Sequence, residues 1–220
     1  NGSVNENIEL ELSGKTIRLK GKQNSKVTQW DIITIGNLGR NRYWGESEEK
    51  SHRDTICTCT LIRGDGFCIL TDPSIADEKK MASELERRTG LKPSDIKTVF
   101  LTHEHADHFY GIKNFPDAKW IAAPAVAEII NKSGQLPRTI EGSTEILFDT
   151  IKVIPTPGHT YAHHSLVFDC DGLRIVIAAD SIMTKDFFRE RKGYFRSVDL
   201  KLATETINML AEMADIIVPG

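Results

Sequence analysis

Three histidines and an aspartate lie close together, because residues 102–108 read Thr-His-Glu-His-Ala-Asp-His. Only 7 of the 220 residues are histidine, so composition alone would seldom produce this cluster. His103 and His105 are two positions apart, and in an extended segment their rings point the same way and can bind one ion. Asp107 and His108 follow in the sequence and can bind a second ion. Imidazole and carboxylate bind zinc at ~2.0–2.2 Å, so the motif predicts a metal site rather than a polar helix start with solvated histidines.

Two more candidate ligands come directly after apolar runs that predict strands. Residues 151–154 lead into a Pro-Thr-Pro-Gly turn, and proline and glycine there predict a fixed bend that presents His159. Residues 175–179 lead into Asp180. Alone, His159 is typical of a turn and Asp180 of a helix cap. Beside the first cluster both are expected to complete the metal site, since sites in α/β proteins usually lie at strand ends.

The hydrophobic pattern predicts the elements that must position these residues. Apolar or alternating runs predict several strands, among them 96–101, 151–154, 165–168 and 173–178. Helical spacing predicts a helix over 75–88, capped by Asp72 or Ser74, and another over 200–214. Strands outnumber helices and the helices lie between them. This order predicts sheet layers covered by helices in a single α/β domain spanning 1–220.

One long segment without periodicity precedes the central strands. Residues 36–54 are rich in Gly, Asn, Arg and Glu. They predict a long surface loop of the kind that is often functional, with a disordered connection as the alternative.

Composition and charge limit the classes of partner. Hydrophobic residues make up 40% and charged residues 27% of the chain, which is typical of a globular protein. The net charge of −3 disfavours a nucleic acid partner. No apolar run reaches about 18 residues, so no membrane-spanning helix is expected. A cytoplasmic location is expected; a protein whose signal peptide has been cleaved is the alternative, because the chain starts at Asn1.

The four cysteines do not predict a disulfide framework. They are Cys57, Cys59, Cys68 and Cys170. Cys57 and Cys59 alternate along a strand-like run, which indicates core packing more than a disulfide framework. No Cys-x-x-Cys pair is present, which disfavours a zinc knuckle or a redox pair.

At the residues of the histidine motif the sequence resembles the metallo-β-lactamase superfamily. The resemblance covers most of the chain, from about Thr55 to Gly220, and His-x-His-x-Asp-His is specific among sequence motifs. It implies an α/β fold of the αββα type, in which a sandwich of two β-sheets is flanked by helices and the metals lie at one edge.

The resemblance also implies a set of metal ligands. The first metal would be held by His103, His105 and His159, the second by Asp107 and His108, and Asp180 would bridge the two. Asp72 matches the acidic residue after an early strand of the family and would orient a ligand. The family more often has Asp-x-Gly there, whereas this chain has Asp-Pro-Ser.

A further histidine of the family has no counterpart in the given residues. It usually follows a short strand and a Pro-Gly turn, and this chain stops at Pro219-Gly220. That ligand is expected either beyond Gly220 or not at all. In the second case the second metal would keep only Asp107, His108 and Asp180 and would be bound less tightly.

The resemblance implies a metal-dependent hydrolase that activates water. One or two zinc ions, or iron or manganese, would serve, and Asp107 would orient the nucleophile or accept its proton. Asp180 is similar to the aspartate of the glyoxalase II, lactonase and phosphodiesterase branches, whereas the true β-lactamases generally lack this bridge. The alternatives are an iron dioxygenase of the same superfamily and a non-catalytic metal-binding module. The dioxygenase would hold a single iron with the residues at His103, His159 and Asp180.

Residues 185–196 are candidates for contact with the substrate. The basic residues are Lys185, Arg189, Arg191, Lys192 and Arg196, and the aromatic ones are Phe187, Phe188, Tyr194 and Phe195. Cationic groups beside aromatic faces would suit a small molecule with an anionic group and an apolar body, such as an acyl ester, thioester or lactone, with phosphodiesters next. A lid-like surface segment with solvated charges is the alternative. His163 and His164 are not assigned as ligands; one of them either faces the substrate or packs in the core.

Overall fold

The computed structural model describes residues 7–20 and 25–220, and the chain divides into two compact units. The first unit comprises Asn1–Gln29 and Thr144–Pro219, and the second comprises Trp30–Ser143 and Gly220. Within the described residues, no helix is both long enough and apolar enough to traverse a bilayer.

Thirteen strands and four α-helices make up the regular structure of the described residues. The strands are β1 (Ile8–Leu12), β2 (Lys15–Leu19), β3 (Val27–Thr34), β4 (Cys59–Gly64), β5 (Phe67–Thr71), β6 (Thr98–Leu101), β7 (Lys119–Ala122), β8 (Glu141–Gly142), β9 (Ile146–Leu147), β10 (Ile151–Pro155), β11 (His164–Cys170), β12 (Leu173–Ala179) and β13 (Ile216–Pro219). The helices are α1 (Glu78–Thr89), α2 (Pro124–Ser133), α3 (Lys185–Glu190) and α4 (Leu200–Met213).

The first unit contains a hairpin and a five-stranded mixed sheet. Strands β1 and β2 pair antiparallel, and the sheet has the order β13-β12-β11-β10-β9. Its neighbours pair antiparallel except β12 and β13, which are parallel. Helix α4 buries Ala203, Ile207 and Leu210, which recur every three or four residues on one face. Ile207 and Leu210 join Ile154 and Val176 of the sheet in one apolar core.

The second unit is built on a six-stranded mixed sheet in the order β3-β4-β5-β6-β7-β8. Strands β4 and β5 form an antiparallel hairpin, and β5 to β8 run parallel. The central strands are mostly apolar because parallel strands are covered on both faces, and Ile69, Val99 and Phe100 are fully buried.

The observed elements confirm most of the predicted ones. The runs 151–154, 165–168 and 173–178 lie within β10, β11 and β12, and α4 matches the helix predicted over 200–214. The strand predicted over 96–101 starts at Thr98 instead, because a short 3-10 turn occupies Pro93–Asp95.

The start of α1 differs from the prediction. The helix begins at Glu78, and the side chain of Asp77 accepts a hydrogen bond from the Lys80 amide. Asp72 and Ser74 were predicted as caps, but both are buried and bonded elsewhere. Ser74, for example, accepts a hydrogen bond from the Cys57 amide at 3.0 Å. Tertiary contacts therefore override the local capping signal.

The segment 36–54 is an ordered surface loop. A 3-10 turn occupies Arg42–Trp44, and the Asn41 side chain accepts a hydrogen bond from the Tyr43 amide. Arg53 forms an ion pair with Glu46 inside the loop. These contacts favour the structured interpretation over a disordered connection.

Candidate metal centre

Two parallel strands of the second unit end beside each other and begin the site. Strands β5 and β6 are parallel neighbours, so their carboxyl ends share one edge of the sheet. Asp72 follows β5, and Thr102 and His103 follow β6. Asp72 has a φ of 48°, a left-handed conformation that Asp tolerates better than most residues. This strained turn places a buried carboxylate at the strand end, as is common at functional sites.

The Asp72 carboxylate accepts three hydrogen bonds. They come from the Thr102 amide at 2.9 Å, the Thr102 hydroxyl at 2.7 Å and His108 Nδ1 at 3.0 Å. Since an ionised carboxylate only accepts, His108 must carry its proton on Nδ1. The lone pair of His108 is therefore on Nε2, as a metal ligand requires, and Asp72 makes the contact expected of a residue that orients a ligand.

The same reasoning defines the tautomer of His103. The Thr102 hydroxyl proton goes to Asp72, so His103 Nδ1, which is 3.2 Å from that oxygen, must donate to it. The lone pair on His103 Nε2 then faces His105 Nδ1 at 3.0 Å. Two nitrogens bound ~2.0–2.1 Å from one tetrahedral ion lie about 3.3 Å apart. The observed spacing is close to that of two ligands of one ion.

His108 and Asp107 lie beside this pair. The ring centroids of His103 and His108 are 4.0 Å apart, so three imidazoles converge at one end of the sheet. Asp107 belongs to the short 3-10 turn Ala106–His108. With His105 it lines a pocket of about 680 Å³, so the proposed catalytic carboxylate borders a cavity large enough for a small molecule.

The first unit brings His159 and Asp180 together. Strands β10 and β12 both run antiparallel to β11, so their carboxyl ends lie at the same edge of the sheet. His159 Nε2 and Asp180 Oδ2 are 3.2 Å apart, and both side chains are largely buried. A bulge at the end of β12 and a φ of 44° at Ala179 turn the chain just before Asp180. This spacing also fits two ligands of one ion.

The turn before His159 is locked by its packing against α4. Gly158 has a φ of 131°, and a Cβ there would lie 2.4 Å from the Ala203 Cα, so only glycine fits. The carbonyl of His159 accepts a hydrogen bond from the Val198 amide at 3.1 Å. The Pro157 carbonyl accepts one from the Thr206 hydroxyl at 2.6 Å. The start of α4 therefore holds the backbone that presents His159.

His163 and His164 have distinct surroundings. His163 is fully buried, and its Nδ1 lies 2.8 Å from the Thr156 hydroxyl. His164 Nδ1 donates to the Ala162 carbonyl at 2.7 Å, and burial lowers the pKa of this imidazole from its usual value. The contact between Thr156 and His163 thus joins the two ends of the loop that carries His159.

Each unit supplies side chains of the kinds that bind metal ions. The second unit supplies three imidazoles with two defined tautomers, and the first unit supplies an imidazole next to a carboxylate. The sequence did not reveal Thr102 as the residue that links Asp72 to His103, because the contact spans 30 residues. Thr156, which holds His163, was missed as well, since a threonine in a turn carries no special signal.

Comparisons with known proteins agree with this site. Residues 52–220 match the sequence model of the Metallo-beta-lactamase superfamily. An N-acyl homoserine lactonase of Bacillus cereus is 28% identical over 181 residues, which cover 77% of this chain and 69% of the relative. A probable metallo-hydrolase of Methanocaldococcus jannaschii is 27% identical over 152 residues, 69% of this chain and 70% of the relative. A hydroxyacylglutathione hydrolase of Buchnera aphidicola is 31% identical over 100 residues, 44% of this chain and 36% of the relative.

Solved structures of distant sequence share the fold. An N-acyl homoserine lactone hydrolase with N-hexanoyl-L-homoserine at its metal centre has a TM-score of 0.68 at 19% identity, over 90% of this chain and 94% of the other. A dizinc quorum-quenching lactonase has a TM-score of 0.60 at 16% identity, over 95% and 86% of the two chains. These likenesses show an α/β fold with two mixed sheets and flanking helices. Since the family's sequence model matches well over half of its residues, the chain belongs to the metallo-β-lactamase superfamily.

Proposed function

We propose that this metal-dependent hydrolase of the metallo-β-lactamase superfamily opens small lactones or cleaves closely related carboxylic esters. The observation that carries the proposal is the array at the end of β5 and β6. There the hydrogen bonds of Asp72 and Thr102 at the Nδ1 atoms leave the Nε2 lone pairs of His103 and His108 available to a metal. Relatives named as N-acyl homoserine lactonases, of which one is 28% identical over 77% of this chain, support a lactone substrate.

We further propose that the two units contribute to a single dinuclear zinc centre within one domain. The second unit would supply His103, His105, Asp107 and His108, and the first unit would supply His159 and Asp180. The family membership supports this set, and the dizinc lactonase of the same fold supports zinc. Asp180 would bridge, because a carboxylate has two oxygens and an imidazole offers one lone pair.

When bound, the metals would supply Lewis acidity and a water that ionises near neutral pH. The chain's own residues do the rest. Asp107 lines the pocket beside His105 and can accept the proton of the attacking water. The same carboxyl can then return a proton to the leaving alkoxide of the opened ester. Asp72 keeps His108 in one orientation while these steps proceed.

A thioester is the second candidate substrate. The hydroxyacylglutathione hydrolase that is 31% identical over 100 residues favours it. The chemistry of attack and proton transfer at Asp107 is the same for both acyl groups. The prediction that the substrate carries a negative charge depends on the basic residues of 185–196 and stays a prediction.

A single panel separates these functions. Zinc-loaded protein is assayed with an acyl homoserine lactone, a thioester and a phosphodiester. Iron-loaded protein is assayed with a persulfide, with oxygen consumption as the readout. Hydrolysis of the lactone above the others, lost on chelation and restored by zinc, supports the proposal. Preference for the thioester selects the second candidate, and oxygen consumption with an iron-loaded sample selects the dioxygenase. Metal binding without turnover of any compound supports a non-catalytic module.

A further inference from the structure

The pocket of the second unit offers more than access to metal ligands. Its volume of about 680 Å³ lies within the ~300–1,000 Å³ range of small-molecule sites. It is lined by Asp54, Thr55 and Ile56 on one segment and by His105, Ala106, Asp107 and Tyr110 on another. His105 and Asp107 belong to the proposed metal centre. A substrate whose reacting group lies at these two residues would therefore place its side chain against the remaining residues of the pocket.

The charges of this pocket are all of one sign. Asp54 and Asp107 are its acidic residues, and none of the lysines and arginines that the structure describes lines it. Asp107 is assigned to the metal centre, so Asp54 is the charged group that remains for the substrate arm. An ionised carboxylate accepts hydrogen bonds and repels anions. The lining therefore favours an uncharged arm that carries an N–H or O–H donor.

The backbone that carries Asp54 is fixed. Its carbonyl accepts a hydrogen bond from the Asn37 side-chain amide at 3.0 Å. The neighbouring Ile56 exchanges two backbone hydrogen bonds with Asn37, at 2.7 and 3.2 Å. The Asp54 side chain itself is exposed. A solvent-facing carboxylate on a pinned backbone can bind a ligand with little loss of chain entropy.

Tyr110 also lines the pocket, and its backbone is held in place as well. Its side chain is 53% exposed, so the ring is accessible to a ligand. The next amide, that of Gly111, donates to the Pro73 carbonyl at 2.8 Å. A Cβ at Gly111 would lie 2.2 Å from the Ile75 carbonyl oxygen, so this approach requires glycine. Ala106 between the two walls is small and leaves the pocket open.

We propose that this pocket binds an uncharged, donor-bearing arm of the substrate, such as a secondary amide. Asp54 accepts the hydrogen bond of that donor, and the Tyr110 ring packs against the adjoining apolar chain. The proposal rests on the proposed function, because it takes the arm to be the side chain of a lactone or ester. Any anionic group of the substrate lies outside this pocket.

Binding of uncleaved probes tests the role of Asp54 directly. The probes are 3-hexanamidopyrrolidin-2-one, a lactam with a side-chain amide N–H, and its analogue methylated on that nitrogen. Calorimetry with the zinc-loaded chain should show about tenfold tighter binding of the N–H lactam, as one hydrogen bond to a charged group provides. Asp54→Ala should reduce this ratio to about twofold or less. Asp117→Ala, an exposed aspartate outside the pocket, is the matched control and should keep the ratio.

Substitutions of Tyr110 test whether its ring packs against the substrate. Tyr110→Ala should weaken both lactams by a similar factor of about ten, because the ring packs against the chain they share. Tyr110→Phe keeps the ring and should bind both like the unchanged protein. A probe whose amide is replaced by a carboxylate should bind at least tenfold more weakly than the N–H lactam, because Asp54 repels it. Asp54→Asn should reduce this difference in affinity between the two probes.

Three results would overturn the proposal: equal affinity for the two lactams, no binding of either one, or an unchanged ratio in Asp54→Ala. Failure of the proposed function would give a different set of results. Lactones would then remain uncleaved by the same zinc-loaded sample, while the lactam ratio and its dependence on Asp54 persisted. The two claims are therefore distinguished in one series of measurements.

Discussion

Asp72 and His108 are joined by a hydrogen bond of 3.0 Å between two side chains that are 1% and 0% exposed. A buried hydrogen bond of this kind fixes the orientation of the histidine ring and the nitrogen that carries its proton, because neither partner can form a hydrogen bond with water instead. In this protein the contact leaves the lone pair of His108 on Nε2, the atom that we propose binds a metal. It also couples the histidine motif to a strand end 36 residues earlier in the chain.

Asp72→Asn should disturb the site without changing its size. Thr102 and His108 present three donors to the carboxylate, and an amide replaces one acceptor oxygen by an NH₂ donor. At least one donor then faces another donor. We expect unfolding free energy to fall by about 1–3 kcal/mol and zinc affinity to fall about 10- to 100-fold. Denaturant titration and chelator competition measure the two effects. Unchanged zinc affinity in a folded variant would contradict the orienting role of Asp72.

Replacement of His103 or His105 by alanine should remove the first metal. Each substitution deletes one of two nitrogens that lie 3.0 Å apart and face each other. Metal analysis of purified protein should show a loss of about one equivalent in either variant. His52→Ala is the control, because His52 is exposed and its backbone amide bonds to Gly39. Full metal content in both site variants would disprove the assignment.

Arg191 is expected to matter more than Arg189 for an anionic substrate. Arg191 has a φ of 51° and its guanidinium lies 4.3 Å from the centre of the Phe188 ring. Its Nη1 is buried and, among the described residues, has no hydrogen-bond partner. Arg189 is exposed. A guanidinium with a buried nitrogen that lacks an acceptor is suited to an anion.

The measurement is KM for the best anionic substrate in the two variants. Arg191→Ala should raise it about tenfold, whereas Arg189→Ala should change it by less than about twofold. An unchanged KM in both would remove the segment 185–196 from substrate recognition.

Cys68 should react slowly with alkylating reagents. Burial, opposed in part by the nearby Arg63, raises the pKa of this thiol from 9.0 to about 11. At pH 8 roughly one molecule in a thousand then carries the thiolate that reacts. Because the folded state holds this proton more tightly than the unfolded chain, the contribution to stability is complete below pH 9.0 and is lost as the pH approaches about 11. Iodoacetamide labelling followed by mass spectrometry, in native protein and in urea, measures the difference. Equal rates in the two states would contradict the raised pKa.

Local signals in the sequence were enough to locate the strands, the turn before His159 and the ligand-type residues. Hydrophobic period and turn chemistry act over a few residues, so β10, β11 and β12 could be predicted. Cys57 and Cys59 are free and buried, in agreement with their interpretation as core residues. The predictions failed or were silent where distant residues compete, as when Asp72 bonds to Thr102 and leaves Asp77 to cap α1.

Other features depend on tertiary structure alone. The six-residue helix α3 and the two-residue strand β8 are too short for periodicity to reveal. The pocket between Asp54 and Tyr110 joins residues that carry no shared motif. Its existence follows only from the backbone contacts that fix the two segments.

The most direct test of the central claim measures zinc and lactone hydrolysis on the same sample of an Asp180 variant. Asp180 lies 3.2 Å from His159 and is the residue proposed to serve both metals. The unchanged protein should bind about one to two equivalents of zinc and open an acyl homoserine lactone. Asp180→Ala should lose metal and turnover together, because one carboxylate supports two ions. Normal zinc content with normal turnover in Asp180→Ala would contradict the account.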